Sequence, residues 1–392
     1  MTEITAVATP TNRILSVVKM LLAFAFFMWS IDLLTLSMGN LNSSFAKDLF
    51  RATNNPFVGL FIGILMTALV QSSSTVTAMF VAVVASGNLS LLQAVPLVMG
   101  ANIGTTLTST LVAFSYLMKK EQFKKALAAG VLHDVFNILT VLILFPLEVY
   151  FGFLSNMASF LTHALFEVNQ DFDGDYHYNV FFTRPISERL FTLLGPPWLA
   201  LLFSVIVLFS AIKVLSDTVL NSFFSKGSGG ISKNIFKQPF LTFLYGIFFT
   251  AAIQSSTVTT SLVVPAVAGR KVSLNRVFPF IIGANIGTTI TAGIAAFYKT
   301  EAAISLALVH FLFNGLGALI FLPFPGIRSI PVKIATFLGG EATRTRLVGI
   351  AYILLTFFII PFFLIYFNQE EDISKSDLRR QKTEWIKKEK AE

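Results

Sequence analysis

Gln71-Ser72-Ser73-Ser74, set inside an apolar run, is followed by Gly100-Ala101-Asn102-Ile103-Gly104-Thr105-Thr106. The chain then repeats the pair as Gln254-Ser255-Ser256-Thr257 and Gly283-Ala284-Asn285-Ile286-Gly287-Thr288-Thr289. In both copies the glutamine precedes the first glycine by 29 positions, a register that composition bias does not produce. The likeness spreads outward. Pro56 matches Pro239, Gly63 matches Gly246, Thr67 matches Thr250 and Pro96 matches Pro279, and His133-x-x-Phe136-Asn137 matches His310-x-x-Phe313-Asn314. Amide and hydroxyl clusters are costly in hydrocarbon unless each group finds a partner. Four of them at membrane depth are therefore expected to line a site. Two uses of the glycines stay open: breaking a helix so that backbone groups face a ligand, or letting helices pack closely. Duplication at one register favours the site.

Hydrophobic residues make up 54% of the 392 and charged residues 13%, with 42 phenylalanines, which places the chain among polytopic membrane proteins. The net charge of +8 comes from basic residues in short loops between apolar runs, a topological pattern and not a nucleic-acid patch. Residues 1–13 lack the basic start, short apolar core and cleavage site of a signal peptide, so the first helix is expected to be retained. The absence of cysteine excludes disulfides, thiol catalysis and cysteine metal sites, and the four histidines show no ligand spacing. No cofactor is expected.

Apolar stretches of bilayer length run near 14–38, 92–116, 126–148, 197–220, 275–297, 301–323 and 345–367. Two further apolar regions, 55–87 and 238–269, are each bisected by Gln-Ser-Ser. If both are hairpins that return to their side of entry and the N-terminus is cytoplasmic, fifteen loop cations fall inside and five outside. If both regions span, the same residues divide ten and ten, so the positive-inside rule selects hairpins. The first repeat then holds three crossings and the second is inverted relative to it, the build of many secondary transporters.

The sequence therefore predicts an all-α membrane protein of two inverted-topology repeats, each with a re-entrant helical hairpin and a broken transmembrane helix, plus one extra C-terminal crossing. Residues 1–148 form the N-terminal repeat, with hairpin 55–87, broken helix 92–116 and helix 126–148. Residues 149–196 form an external connecting loop. Residues 197–323 form the inverted repeat, with hairpin 238–269 and broken helix 275–297. A cytoplasmic loop and the last crossing fill 324–367, and 368–392 is a solvated tail with seven basic and seven acidic side chains, which parity places outside.

Where each hairpin turns at Gln-Ser-Ser, its second arm begins with unsatisfied N–H groups and the positive end of its dipole, which favours an anion. Two such ends, with Gln71, Ser72, Ser73, Ser74, Gln254, Ser255, Ser256 and Thr257 as donors, suit a tetrahedral oxyanion. No lysine or arginine lies at that depth, so co-bound cations must offset its charge, and sodium is the natural one. Sodium takes oxygen ligands by the hard-cation logic that applies to calcium. Asn102, Thr105, Thr106, Asn285, Thr288 and Thr289 supply them, and Asp32 adds an intramembrane carboxylate. Asp134 is a second such acid, beside His133. Neither acid has an acidic match in the second repeat, where Lys213 and Phe311 stand instead, so the cation load falls mainly on the first. A hydrolase built on His133 and Asp134 is disfavoured, because adjacent helical residues point about 100° apart. His133, Asn137, His310 and Asn314 form i, i+4 pairs suited to struts between helices, with Asp134 in a coupling role.

On these motifs, from about Asp32 to Phe367, the chain resembles the type II sodium/phosphate cotransporters, and within them a bacterial member. The resemblance implies two inverted repeats, sodium-coupled uptake of inorganic phosphate by alternating access, and substrate at the Gln-Ser-Ser tips. It also implies a multi-pass protein of the inner (plasma) membrane, with the lipid bilayer, phosphate and sodium as partners. Nucleic acid and catalysis are not implied, and an oligomer is left open. A membrane phosphate sensor with little flux of its own is the rival reading. Animal members carry a larger disulfide-bridged loop between repeats, whereas this chain has no cysteine. Electrogenic members carry Ala-Gly-Asp where this chain reads Leu117-Met118-Lys119, so their stoichiometry does not transfer.

Overall fold

The computed structural model describes residues 10–41, 52–166, 183–224, 233–297, 299–342, 347–363 and 366, and those residues are helical with no strand. Among the described residues six helical segments are long and apolar enough to cross a membrane: Ile14–Gly39, Leu91–Phe114, Lys120–Phe151, Pro197–Val219, Leu274–Ala296 and Glu301–Phe321. The seventh expected crossing is a shorter apolar helix, Leu347–Phe363. Its first part, Leu347–Leu354, passes into a π-helical turn, Leu355–Ile359. Helix α1 (Pro10–Gly39) exposes Ile14, Leu15, Val17, Val18, Leu21 and Leu22 on its outer face, as a lipid-facing helix does.

The first half continues through α2 (Pro56–Val70), α3 (Ser73–Ala85), α4 (Leu91–Gly104), α5 (Leu107–Phe114) and α6 (Lys120–Phe151). Helix α2 starts at Pro56 behind Asn55, whose side chain accepts from Phe57 N, and ends at Gln71 in the left-handed region. Its partner is α4. A Cβ on Gly59 would meet Pro96, one on Gly63 would lie 2.0 Å from Leu97 O, and one on Gly104 would lie 2.4 Å from Ile64 O. Contacts that advance together along both helices mean that α2 and α4 run in parallel, backbone against backbone. At their shared start, Gln93 Nε2 donates to Asn54 Oδ1 at 2.7 Å. The glycines of the first copy are thus packing residues, which decides between the two uses left open by the sequence.

The second half repeats the arrangement in α9 (Pro197–Phe224), α10 (Pro239–Ile253), α11 (Ser256–Ser261), α12 (Val263–Ala268), α13 (Leu274–Ala296) and α14 (Glu301–Phe321). Helices α10 and α13 pack in the same parallel register, since a Cβ on Gly246 would lie 2.2 Å from Phe280 O and one on Gly283 would lie 2.1 Å from Phe243 O. The halves exchange partners. Helix α3 packs on α13 and α14, while α11 packs on α5 and α12 on α6. They share a core, in which Phe27, Val81, Val84 and Leu97 join Ala211, Ala292 and Leu306.

Three expectations are corrected. The connection 149–196 is helical where described, as α7 (Phe153–Leu165) and α8 (Thr183–Leu194). Gly152 at φ 60° turns the chain, and buried Glu148 accepts from Leu154 N and Ser155 N to cap α7. The segment after 324 is helix α15 (Pro325–Glu341), not a loop. Its buried stripe of Val332, Ala335 and Gly339 has helical spacing, which a search for bilayer-length runs overlooks. Finally, of the two helices expected to break, only that of the first half does: Thr105 and Thr106 separate α4 from α5, whereas α13 runs unbroken through Thr288 and Thr289. The tail 368–392 lies outside the described residues.

Candidate functional site

The two Gln-Ser-Ser turns, the tips of α2 and α10, meet. Gln71 and Gln254 both take φ near +57°, with values of 56° and 57°, and each N–H closes its helix on Thr67 O or Thr250 O. Ser72 and Ser255 follow in extended conformation and cap the next helices, accepting from Thr75 N and Val258 N at 3.3 Å. Across the gap, Ser74 Oγ donates to Gln254 O and Thr257 Oγ1 donates to Gln71 O, both at 3.2 Å. These are matching residues of the two copies exchanging matching bonds. Ser73 and Ser256 are each 3% exposed, and among the described residues their hydroxyls have no partner. The tips thus divide the expected donors: Ser72 and Ser255 act as caps, Ser74 and Thr257 join the tips, and Ser73 and Ser256 stay free. Gln254 Oε1 is buried without a partner, and Gln71 is exposed.

A left-handed backbone disfavours any residue with a Cβ by about 1–2 kcal/mol. Glycine is the ordinary solution there. Among the described residues only Gln71, Gln254 and Arg270 adopt it without being glycine. Strain kept twice, at the same place in a repeat, points to a use for the side chain.

Behind the tips the four asparagines and His133 cross-link the halves. Asn285 Nδ2 donates to Asn137 Oδ1 at 2.8 Å, and Asn314 Nδ2 donates to Asn102 Oδ1 at 3.2 Å, again a reciprocal pair. His133 Nε2 is bonded to Asn285 Oδ1. His310, equally buried, has no partner at either ring nitrogen among the described residues. The break in the first half follows from this network. Thr106 N turns to Ile103 O, leaving Asn102 O without its helical donor, and Asn137 Nδ2 supplies one at 2.6 Å. Asn314 Nδ2 spends its second bond on His310 O and not on Asn285, whose helix needs no replacement donor.

Of the expected sodium ligands, Thr105, Thr106 and Thr289 donate to carbonyls of their own helices and keep oxygen lone pairs. Thr288 Oγ1 is buried without a partner. Asp32 is not with them. Its carboxylate is held by Lys299 Nζ and Thr183 Oγ1, a buried ion pair between α1, α8 and the start of α14. Asp134 accepts from Thr110 Oγ1 at 3.2 Å, with Tyr352 alongside. Thr110, Tyr352 and Glu148 escaped the sequence reading. Tyr352 lies over two hundred positions from Asp134 and carries no motif, but Glu148 was visible as an acid at the end of a span.

The profile of the Na+/Pi-cotransporter family matches residues 26–154 and 207–328. This chain belongs to that family. Its two matched blocks contain both copies of the tip and both Asn-Ile-Gly-Thr-Thr stretches. The mouse protein named sodium-dependent phosphate transport protein 2A is 31% identical over 426 residues, covering 88% of this chain and 66% of its own length. The human protein named sodium-dependent phosphate transport protein 2B is 28% identical over 433 residues, covering 86% and 63%. The chain thus spans less than two thirds of the length of either relative. No solved structure matches it.

Proposed function

We propose that this chain couples sodium entry to the uptake of inorganic phosphate, with phosphate held between the two Gln-Ser-Ser tips. The observation that carries this reading is the reciprocal contact of the tips. It brings the starts of α3 and α11, each with free N–H groups, to one place beside the unpartnered hydroxyls of Ser73 and Ser256. Donors converging from two helix ends fit a tetrahedral oxyanion. Gln71 and Gln254 complete the set with their amides, which accounts for glutamine at a strained position. Sodium ions are carried by oxygens of Asn102, Thr105, Thr106, Asn285, Thr288 and Thr289, and Asp32 is left to its ion pair.

Hairpins that re-enter the face they left are supported by the parallel register of α2 with α4. Helix α3 and residues 86–90 have to bring the chain back to the start of α2 before α4 begins. Inverted repeats are supported by the reciprocal exchange of partners between halves, which a two-fold axis produces. Alternating access then consists of one set of helices tilting against the other around the shared tips. The inside-positive count puts the N-terminus in the cytoplasm of a cell whose plasma membrane holds the protein.

The test is uptake of radiolabelled phosphate into proteoliposomes holding the full chain, with and without an inward sodium gradient. We expect accumulation only with the gradient. Uptake indifferent to sodium would remove the proposal.

A further inference from the structure

The second copy lies 183 positions after the first, so Asn54 and Gln93 correspond to Lys237 and Arg276. In the first half this pair sits at the common start of α2 and α4 and closes it with a neutral hydrogen bond from Gln93 Nε2 to Asn54 Oδ1. In the second half the same place, at the start of α10 and α13, holds two cations and is open. A cavity of about 340 Å³ lies there, lined by Lys237, Arg276 and Arg328 together with Asn275 and Ser329. Among the described residues none of the three cations has an ion pair or a side-chain hydrogen bond. Three like charges around one cavity repel. Helices α10, α13 and α15 all begin at its wall, adding the positive ends of three dipoles. The place that the first half closes with a neutral pair is, in the second, an open cluster of cations that favours an anion.

The rim identifies the kind of anion. Phe240 is 64% exposed, Leu241 46%, Phe324 61% and Ile327 37%, so the first turns of α10 and α15 flank the cations with uncovered apolar surface. A charged cavity beside an apolar wall fits a headgroup attached to acyl chains better than a free ion, as basic pockets between membrane helices do. We propose that Lys237, Arg276 and Arg328 bind the phosphate group of an anionic phospholipid, with its chains lying along Phe240, Leu241, Phe324 and Ile327.

The purified full chain in detergent would be titrated with dioctanoyl phosphatidylglycerol, dioctanoyl phosphatidylcholine and inorganic phosphate, following bound ligand by native mass spectrometry and the thermal midpoint. The wild type should bind the glycerol lipid saturably and the choline lipid much more weakly. Lys237→Asn with Arg276→Gln recreates the neutral pair of the first half. At about a factor of five per cation near an anionic group, it should bind the glycerol lipid about thirty-fold more weakly. Arg328→Gln alone, outside that pair, should bind it about five-fold more weakly and serves if the double variant does not fold. Wild-type affinity in both variants, or equal binding of the two lipids, overturns the site. Inorganic phosphate displacing the glycerol lipid from the wild type but not from the variants overturns the lipid assignment in favour of a free oxyanion.

Discussion

At the tips the two halves coincide: Gln71 at φ 56° and ψ 27° matches Gln254 at 57° and 25°, and Ser72 at −149° and 100° matches Ser255 at −143° and 103°. Thirty-odd residues later they part. The helix of the first half breaks at Thr105 and Thr106, and that of the second runs straight through the identical pair Thr288 and Thr289. One local sequence giving two backbones shows that the break is not encoded by Asn-Ile-Gly-Thr-Thr alone. It goes with what stands opposite, Asn137 Nδ2 reaching Asn102 O in one half and, among the described residues, no equivalent side-chain donor reaching Asn285 O in the other. The tips behave differently because each is built from its own capping and closed by the other's hydroxyl.

The largest expected effect tests whether the halves are equivalent in packing. A Cβ on Gly100 would lie 1.9 Å from Leu60 O, and one on Gly283 would lie 2.1 Å from Phe243 O, with backbone on both sides and no side chain to yield. Gly100→Ala and Gly283→Ala should each destabilise by about 3 kcal/mol or more, the upper end for overpacking. Gly293, also in α13, has nothing within 4 Å of its Cβ position, and its alanine variant should gain about 0.5–1 kcal/mol from helix propensity. Thermal midpoints in detergent read all three. Tolerance of one of the packed alanines but not the other would break the equivalence of the hairpins.

A smaller effect tests the tips. On the proposed reading, Ser73→Ala and Ser256→Ala each remove one hydroxyl donor to a desolvated anion, a loss of about 1.5–3 kcal/mol or roughly ten- to 150-fold in phosphate affinity. Gln71→Gly and Gln254→Gly remove an amide and relieve the left-handed strain together, so affinity should fall while the thermal midpoint holds or rises. That opposition of signs separates a binding role from a structural one. Phosphate titration by calorimetry supplies the affinities. Wild-type affinity in both serine variants would move phosphate away from the tips.

Much of this was legible in the residues. Gln-Ser-Ser after an apolar arm, with a second arm to follow, spells a helix end and a new cap, and the turn lies where the motif puts it. The i, i+4 spacing pointed to the struts of His133, Asn137 and Asn314, but not to the outcome at His310, whose ring has no partner among the described residues. Three further things were not legible. The role of Gly100 and Gly104 depends on Leu60 and Ile64, some forty positions away, and glycine composition fits a break and a close approach equally well. Asp32 reads as a lone intramembrane acid until Lys299, 267 positions later, is brought against it. Helix α15 was hidden because its apolar stripe is shorter than a bilayer crossing.

The smallest expected effect concerns the linker lysines, where the halves differ once more. Lys299 precedes α14 and is buried against Asp32, while Lys119 immediately precedes α6 and is exposed. Lys119 also stands where electrogenic members of the resembling family place aspartate. For phosphate entering as a divalent anion, two sodium ions balance the charge and a third makes current, so the third site decides whether transport feels voltage. An ammonium group offers sodium no lone pair, and Lys299 has already claimed the carboxylate of Asp32. Each net charge carried inward would gain about 2.3 kcal/mol per 100 mV, which is easily detected as a change in uptake. We therefore expect phosphate uptake at a fixed sodium gradient to be nearly unchanged when a potassium–valinomycin potential is imposed on the proteoliposomes. A several-fold stimulation by an inside-negative potential would show that a further cation is bound, and Asp134, with Oδ1 buried and unpartnered beside Thr110, is then the carboxylate to neutralise first.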